Sequence, residues 1–218
     1  MWLITGLRNA RDVLRTGPLH LDKSLLRAEL TRNHRVSSRH FLAEMLPKGG
    51  IGAEIGVFTG LFSAVLLDVA KPSRAYFVDP WWEAHGPTYP NWGNYTDYGR
   101  LSTKVAYRTA VRRIDSHAHN ARTEVLVDYS TTFFTKMPDR YFDWIYLDST
   151  HSYEGTVKEL ELIKTKLKPG GILAGDDWHD DSTHRHYGIT KAVLEAVSRG
   201  EYEGVARFPE LQWTVRAV

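Results

Sequence analysis

The chain has 218 residues, of which 42% are hydrophobic and 25% are charged, and its formal net charge at pH 7 is +2. This length and apolar content predict one sizeable core in a single α/β domain. The chain has no cysteine, which excludes disulfides, thiolate catalysis and a cysteine-bound zinc ion. The longest apolar runs fall far short of the ~20 residues that a bilayer span requires, and charged residues interrupt the N-terminal stretch where a secretory signal would be apolar. We therefore expect a cytoplasmic protein with no membrane partner.

The first 48 residues carry the positive charge of the chain, with nine Lys or Arg against four Asp or Glu. Such a segment could contact an anionic substrate, a nucleic acid or an acidic partner, but it holds no nucleic-acid recognition motif. A solvated helical surface is the simpler interpretation, so we expect no nucleic-acid partner. Apolar spacing predicts helices in this N-terminal extension over residues 3–15 and 37–46, the second capped by Ser37 or Ser38 and stopped by Pro47.

Strand and helix patterns alternate after the extension. Short apolar runs predict strands, and segments with apolar residues three and four apart predict helices that pack on a sheet. The clearest helix has Val157, Leu160 and Ile163 on one stripe and ends before Pro169. The predicted elements are strand 51–55, helix 61–70, strand 75–78, helix 102–114, strand 124–127, strand 142–147, helix 153–167, strand 171–174, helix 189–197 and a hairpin of 205–208 with 212–216.

This alternation predicts an α/β fold of the Rossmann-like, doubly wound type. We expect a mostly parallel, seven-stranded sheet with a C-terminal antiparallel hairpin, over residues 49–218, preceded by the N-terminal helical extension, residues 1–48. Ligands of such sheets bind outside the carboxyl ends of the strands, near the point where the strand order reverses. The motifs that carry chemistry all lie at that edge.

Carboxylates end two neighbouring predicted strands. Asp148 follows the strand 142–147, and Asp176 and Asp177 follow the strand 171–174 after one crossover helix. Parallel strands joined in this way often lie side by side, which would bring the three carboxylates together with His151 nearby. Like charges at close range repel unless a cation lies among them, so the sequence predicts a divalent metal site.

A glycine turn follows the first predicted strand. Gly56 and Gly60 would permit a tight turn into the following helix, Glu54 precedes them, and Asp79 ends the second strand. The glycines stand four apart, which differs from the GxGxxG pattern of a dinucleotide site. A carboxylate at Glu54 suits an ammonium or sulfonium better than a phosphate, so the pattern favours S-adenosylmethionine over NAD. The alternative is that the glycines only permit tight packing and that Asp79 caps a loop.

Four segments resemble the class I S-adenosylmethionine-dependent methyltransferases, specifically the small group of macrocin-type sugar O-methyltransferases and cephalosporin-hydroxylase-like proteins. They are GAEIGVFTGLFSAVLL (52–67), YFVDPW (76–81), FDWIYLDSTHSYEGTVKELELIKTKLKPGGILAGDDW (142–178) and YGITKAVLEAV (187–197).

The resemblance implies a role for each candidate residue. It implies that Glu54, Gly56 and Gly60 contact the methionine part of the cofactor, that Asp79 binds the ribose and that Ser130 lies near the adenine. It further implies that Asp148, Asp176 and Asp177 hold magnesium and that His151 is the base. The reaction implied is metal-dependent O-methylation of a hydroxylated small molecule, with a sugar unit as the favoured acceptor.

Several alternatives stay open at this point. The aromatic segment 81–100 is predicted to fold over the site as a lid, or else to form a packed loop or a homo-oligomer contact. His151 could instead cap a helix or act as a fourth metal ligand. The loop that contains His179, His184 and His186 could join the site or reach the substrate, but it is expected to face solvent. Metal-independent methylation of a phenol or amine, and a non-catalytic cofactor-binding scaffold, are the alternative functions.

Overall fold

The computed structural model describes residues 22–218, so the helix predicted over 3–15 lies outside the described residues. The helices are α1 (Lys23–Ser38), α2 (His40–Met45), α3 (Leu61–Ala70), α4 (Trp82–His85), α5 (Thr103–His117), α6 (Ser130–Lys136), α7 (Tyr153–Lys166) and α8 (Tyr187–Ser198), with a 3₁₀ turn at Gly93–Thr96. The strands are β1 (Ile51–Ile55), β2 (Arg74–Asp79), β3 (Arg122–Val127), β4 (Phe142–Leu147), β5 (Leu167–Gly175), β6 (Tyr202–Phe208) and β7 (Gln212–Ala217).

The strands form one seven-stranded sheet in the order β3-β2-β1-β4-β5-β7-β6. The five strands from β3 to β5 are parallel, whereas β7 pairs antiparallel with both β5 and β6. This confirms the predicted Rossmann-like sheet and its C-terminal antiparallel hairpin. The strand order reverses between β1 and β4, which is where a ligand site is expected.

Both faces of the sheet are covered by helices. Trp144 and Tyr146 of β4 are fully buried among residues of α2 and α3, while Ile145 and Leu147 are buried among residues of α7 and α8. Successive side chains of a strand point to opposite faces, so a strand buried on both sides reads as a continuous apolar run. That is why the limits of β1, β4 and α3 agree with the sequence prediction.

The predicted helix 37–46 is only partly right. The structure has a long helix α1 that ends at Ser38 and a short helix α2 that begins at His40, with Arg39 between them. Ser38 is therefore the last residue of α1, and Arg39 occupies the N-cap position of α2. Asp22 caps α1 by accepting hydrogen bonds from the backbone N–H groups of Ser24 and Leu25. The polar composition of α1 leaves few apolar residues to reveal its period.

Helix α1 packs against the side of the domain that carries the glycine turn. Arg113 of α5 donates two hydrogen bonds to Glu29 of α1, at 3.0 and 3.1 Å, and a third at 2.5 Å to the carbonyl of Thr59. All three of these groups are buried. The described part of the extension is thus joined to the edge of the sheet where the site is expected. Within residues 22–218, no helix combines the length and apolar character needed to cross a bilayer.

Candidate active site

The glycine turn lies between β1 and α3. Gly56 and Gly60 both have positive φ, 91° and 74°, and Gly60 immediately precedes the first turn of α3. The Gly56 N–H donates to the carbonyl of Val78 at 2.8 Å, which ties the turn to β2. The N–H groups of the first helical turn face the ligand edge of the sheet, as a cofactor site of this fold requires.

Glu54 is buried below the turn, with 2% of its surface exposed. It accepts a hydrogen bond from the Ser63 hydroxyl of α3. Burial raises the pKa of Glu54 to about 8, although the Ser63 hydrogen bond acts in the opposite direction. A positively charged ligand group beside Glu54 would therefore stabilise its ionised form.

Asp79 holds the glycine turn in place. Its Oδ2 accepts from the backbone N–H groups of Val57 and Phe58 at 3.0 and 2.9 Å, and its Oδ1 accepts from that of Trp81 at 2.7 Å. Burial raises the pKa of Asp79 even though these three donors lower it. The structure thus gives Asp79 a role in shaping the turn, and the predicted ribose contact stays a prediction.

Ser130, the predicted adenine contact, begins helix α6 just after β3. Its hydroxyl and that of Ser149 interact with the buried carboxyl group of Glu159, the latter at 2.6 Å. Ser130 therefore lies near the carboxyl end of β4. Its contact with the cofactor stays a prediction.

The three predicted metal carboxylates come together. Leu147 of β4 pairs with Gly175 of β5, so Asp148 and Asp176 continue from neighbouring positions, and oxygens of Asp148, Asp176 and Asp177 lie within 4.8 Å of one another. Asp177 adopts a left-handed conformation with φ 61°, which is unusual for a residue with a side chain. Such strain is concentrated at functional sites in proteins.

Arg39 brings a positive charge to this group, which the sequence analysis did not predict. Its guanidinium donates to Asp176 Oδ2 and lies 3.6 Å from Asp148 Oδ2, with the ring of Phe62 5.6 Å away. Gln212 of β7 donates to Asp176 Oδ1 at 2.6 Å. Both carboxylate oxygens of Asp176 thus accept hydrogen bonds from protein side chains. The basic bias of the extension was the one sequence signal for Arg39, and Gln212 had none.

His151 lies against two of the carboxylates. Its Nε2 is 2.8 Å from Asp177 Oδ2 and 3.7 Å from Asp148 Oδ1. Burial by itself would lower the pKa of His151, but hydrogen bonds and charge from Asp148 and Asp177 outweigh it and raise the pKa to about 10. For the same reason the pKa of Asp148 lies below its ordinary value despite burial.

The prediction of a solvent-facing histidine loop is wrong for His186. Its ring stacks on that of His151, with centroids 4.7 Å apart, and its Nδ1 lies 3.2 Å from Asp177 Oδ2. His179 and His184 stack on each other beside it, with centroids 3.5 Å apart. The loop before α8 folds back onto the carboxylates, a long-range contact that the loop's polar sequence does not reveal.

The aromatic segment 81–100 is partly packed and partly exposed. Trp81 is fully buried and donates from Nε1 to the carbonyl of Phe58 at 2.9 Å, and Tyr89 is 3% exposed. Trp92 and Tyr98 are 47% and 57% exposed. The beginning of the segment therefore supports the glycine turn, while the rings of Trp92 and Tyr98 are partly open to solvent.

The donor set of the site fits a divalent cation. Asp148, Asp176 and Asp177 each place an oxygen within reach of a common point, and imidazole nitrogens of His151 and His186 lie next to Asp177. A small cavity of about 10 Å³ is lined by Asp148, His151 and Asp176 together with residues of β7 and α8. A space of this size holds about one water molecule or ion.

Comparison with solved structures agrees with this architecture. An rRNA methylase from Streptococcus thermophilus is 16% identical, with a TM-score of 0.53 over 84% of this chain and 95% of the other. An S-adenosylmethionine-dependent O-methyltransferase from Thermotoga maritima is 16% identical, with a TM-score of 0.54 over 85% and 65%. A Streptococcus mutans protein solved with S-adenosylhomocysteine is 14% identical, with a TM-score of 0.53 over 84% and 96%. At these identities the likeness establishes the fold, which is that of the Rossmann-like methyltransferases.

The sequence identifies the family. The profile described as "Methyltransferase domain" matches residues 53–178, more than half of the chain, so the chain belongs to the methyltransferase-domain family. This confirms the predicted enzyme class, an S-adenosylmethionine-dependent methyltransferase. No curated protein sequence matches the chain.

Proposed function

We propose that the protein is a metal-dependent O-methyltransferase of the macrocin-type group, which moves a methyl group from S-adenosylmethionine to a hydroxyl of a small molecule, with a sugar unit as the favoured acceptor. One observation carries this proposal. The carboxylates of Asp148, Asp176 and Asp177 meet at the ends of β4 and β5, directly beside the glycine turn of β1. A cation site next to a methyl-donor site is the arrangement that this reaction needs.

The methyl donor is proposed to bind across the β1 turn. Glu54 would face the ammonium group of the methionine moiety, and the backbone at Gly56 and Gly60 would allow close approach. Asp79 would accept from the ribose in addition to fixing the turn, and Ser130 would lie near the adenine. A position in line with the methyl–sulfur bond, roughly 3 Å from the methyl group, removes much of the entropic barrier for an incoming oxygen.

The acceptor hydroxyl is proposed to lie over the carboxylates. An alkyl hydroxyl holds its proton tightly at neutral pH, and a divalent cation, probed first as Mg²⁺, supplies the Lewis acidity that lowers the pKa of such a hydroxyl. Asp148, Asp176 and Asp177 would hold the cation, with Asp176 itself oriented by Arg39 and Gln212. A vicinal diol, common in sugars, would offer two oxygens to such a site.

His151 is proposed to accept the hydroxyl proton or to bind the cation. As a base it must be neutral, whereas Asp148 and Asp177 favour its protonated form when nothing else balances their charge. Positive charge brought to these carboxylates would weaken that preference. The two roles predict different effects of replacing His151. Loss of a base slows methyl transfer, whereas loss of a ligand lowers the affinity for the cation.

We propose a small-molecule acceptor and no nucleic-acid partner. The exposed rings of Trp92 and Tyr98 could stack on a face of its sugar ring if the aromatic segment closed over the site as a lid. A cytoplasmic location is part of the proposal and is consistent with a chain without cysteine.

Metal-independent transfer is the second candidate, and Arg39 is the observation that favours it. Three carboxylates carry three negative charges, but Arg39 and a protonated His151 would together balance two of them. The repulsion that calls for an external cation is therefore reduced. A scaffold without transfer is less favoured, because it has no physical need for clustered carboxylates at a cofactor edge.

Ligand binding and chelation together test the proposal. S-adenosylmethionine and S-adenosylhomocysteine should raise the unfolding temperature of the whole chain, whereas NAD should not. Radiolabelled methyl transfer to a panel of sugars with vicinal diols should stop with chelator and return with a divalent cation. Asp148→Asn should abolish transfer and leave S-adenosylmethionine affinity within about twofold, while Asp181→Asn, in the exposed loop before α8, should change neither. Transfer that survives chelation would establish the metal-independent alternative.

A further inference from the structure

Two imidazoles share one carboxylate oxygen at the edge of the site. His151 Nε2 lies 2.8 Å and His186 Nδ1 lies 3.2 Å from Asp177 Oδ2, and the two rings stack with an angle of 28° between their planes. Asp148 Oδ1 is 3.7 Å from the same His151 nitrogen. Ligand atoms that surround one metal ion at about 2.0–2.2 Å stand roughly 3–4 Å apart, so these separations match those within a coordination shell.

The nitrogen of His186 is the most telling member of this group. Within residues 22–218, His186 Nδ1 is a buried polar atom, and Asp177 Oδ2 lies 3.2 Å from it. Buried polar atoms in proteins are nearly always paired, and a cation bound by Nδ1 and Asp177 Oδ2 would satisfy both atoms. Asp177 itself has a positive φ of 61°, and its Oδ2 contacts one nitrogen of each ring.

The oxygens of Asp176 are the least available of the carboxylate donors. Arg39 and Gln212 occupy one oxygen each, and both of these partners are buried. A shell made of three aspartates would have to compete with these bonds, whereas a shell that uses the imidazoles would leave them intact. The neighbouring pair of His179 and His184 is less available to a metal ion. His184 Nδ1 already accepts a hydrogen bond from the backbone N–H of His186 at 3.2 Å.

We infer that His151 and His186, together with Asp177 and Asp148, form an imidazole–carboxylate site for a transition-metal ion such as Zn²⁺ or Co²⁺, which the site prefers to Mg²⁺. This rests on the proposed function, specifies its metal, and replaces Asp176 with the two imidazoles in the set of ligands. Imidazole is a good ligand for zinc, cobalt, iron and nickel, while magnesium selects oxygen donors and keeps several waters. In this site His151 is a metal ligand.

Metal titration of the 218-residue chain, after metal has been removed with a chelator, tests this inference without an acceptor substrate. Co²⁺, Zn²⁺ and Mg²⁺ are added separately and followed by calorimetry, with the visible absorption of Co²⁺ as a second readout. We expect one ion per chain and an affinity for Zn²⁺ about 100-fold or more above that for Mg²⁺. His151→Ala and His186→Ala should each weaken Zn²⁺ and Co²⁺ by about tenfold or more and change the Co²⁺ spectrum.

His119→Ala is the matched control, because His119 also contacts a carboxylate, that of Asp68, at a site remote in sequence and largely exposed. It should leave metal affinity unchanged. Unfolding of each metal-free variant shows whether it is folded, and His186→Gln replaces His186→Ala if the latter is not. Equal affinity for Mg²⁺ and Zn²⁺, or unchanged Zn²⁺ affinity in either folded histidine variant, would overturn the inference.

Failure of this inference and failure of the proposed function give different results. If S-adenosylmethionine binds and transfer depends on a cation, but the histidine variants bind Zn²⁺ normally, only the imidazole site is wrong. If S-adenosylmethionine does not bind, or transfer survives chelation, the proposed function itself is wrong.

Discussion

Gly56 of the glycine turn and Asp148 of the carboxylate group are in direct backbone contact. A Cβ atom placed on Gly56 would lie 1.8 Å from the carbonyl oxygen of Asp148, far inside van der Waals distance. The Asp148 N–H in turn donates to the carbonyl of Ile55 at 2.8 Å. The proposed cofactor turn and the proposed metal site therefore share one backbone contact at the point where the strand order reverses, and a displacement of the backbone in one should displace the backbone of the other.

Gly56→Ala should damage both sites. The added methyl group meets backbone and not a flexible side chain, and φ of 91° is unfavourable for alanine, so we expect a loss of about 3 kcal/mol or more in the free energy of unfolding. S-adenosylmethionine affinity and divalent-cation affinity should fall together. Urea unfolding and calorimetry measure these quantities.

Gly170→Ala is the control for the backbone conformation. Gly170 also has positive φ, 74°, but a Cβ there would meet nothing within 4 Å. It should cost only about 1 kcal/mol and leave ligand binding unchanged. If Gly56→Ala behaved like this control, the contact between the two sites would have no energetic importance.

Arg39→Met should destabilise the fold strongly. Removal of the guanidinium leaves the buried Asp176 carboxylate beside Asp148 without its cation, and breaking such a buried pair costs about 3–5 kcal/mol. The double variant Arg39→Met/Asp176→Asn should recover most of that loss, because the uncompensated charge is gone. Denaturant unfolding of the single and double variants gives the coupling energy directly.

Arg207→Met provides the comparison. Arg207 pairs with Asp180 at 2.7 Å, but both side chains are more than half exposed. Solvent screens such a pair, so its loss should change the unfolding free energy by no more than about 1 kcal/mol. A similar effect of Arg39→Met and Arg207→Met would mean that Arg39 is not the counter-ion of the carboxylate group.

Glu54 should make the stability of the ligand-free protein depend on pH. Burial raises its pKa to about 8 from 4.5, so between these values the folded chain holds a proton that the unfolded chain releases. The unfolding free energy should therefore fall as pH rises from about 4.5 to about 8, and Glu54 should contribute no further change above that. Urea unfolding across this range should show a flatter profile for Glu54→Gln, while the exposed Glu203→Gln should follow the wild type.

The sequence was sufficient for the sheet but not for the charges that surround its edge. Strands β1 and β4 were predictable because burial on both faces makes them continuous apolar runs, and the spacing of Asp148 and Asp176 followed from the crossover between them. Arg39 lies 137 residues from its partner Asp176, and no local pattern encodes such a pair. The same holds for His186, whose loop has the polar composition of a solvent-exposed segment.

Asp97 should link the extension to the aromatic segment. It is buried, accepts from the Ser24 hydroxyl of α1 at 2.9 Å, and lies 3.4 Å from Arg27. Asp97→Ala removes these bonds, so amide hydrogen exchange should increase about tenfold in both α1 and residues 92–100. Glu83→Ala, an exposed change within the same aromatic segment, should leave exchange in α1 unchanged. Unaltered exchange in α1 of the Asp97 variant would show that Asp97 does not link α1 to the aromatic segment.

His151 should remain protonated near neutral pH when no cation is bound. Its imidazole loses hydration on burial, which lowers its pKa, but the carboxylates of Asp148 and Asp177 raise it from 6.5 to about 10. Histidine side-chain NMR of the chelated protein should therefore show no deprotonation of His151 between pH 7 and about 9, with its signals assigned by His151→Ala. Asp177→Asn removes one of the two carboxylate charges beside His151 and should therefore lower the pKa of His151.

The sign of the accompanying stability change follows from the same shift. A raised folded pKa means that the full stabilisation from His151 is present below 6.5 and is lost as pH rises toward 10. A divalent cation that binds the carboxylates or Nε2 competes with this proton, so its affinity should increase with pH over that range. A midpoint near 6.5 in the chelated protein would show that Asp148 and Asp177 do not act on the imidazole, and the charge balance proposed for the site would then rest on Arg39 alone.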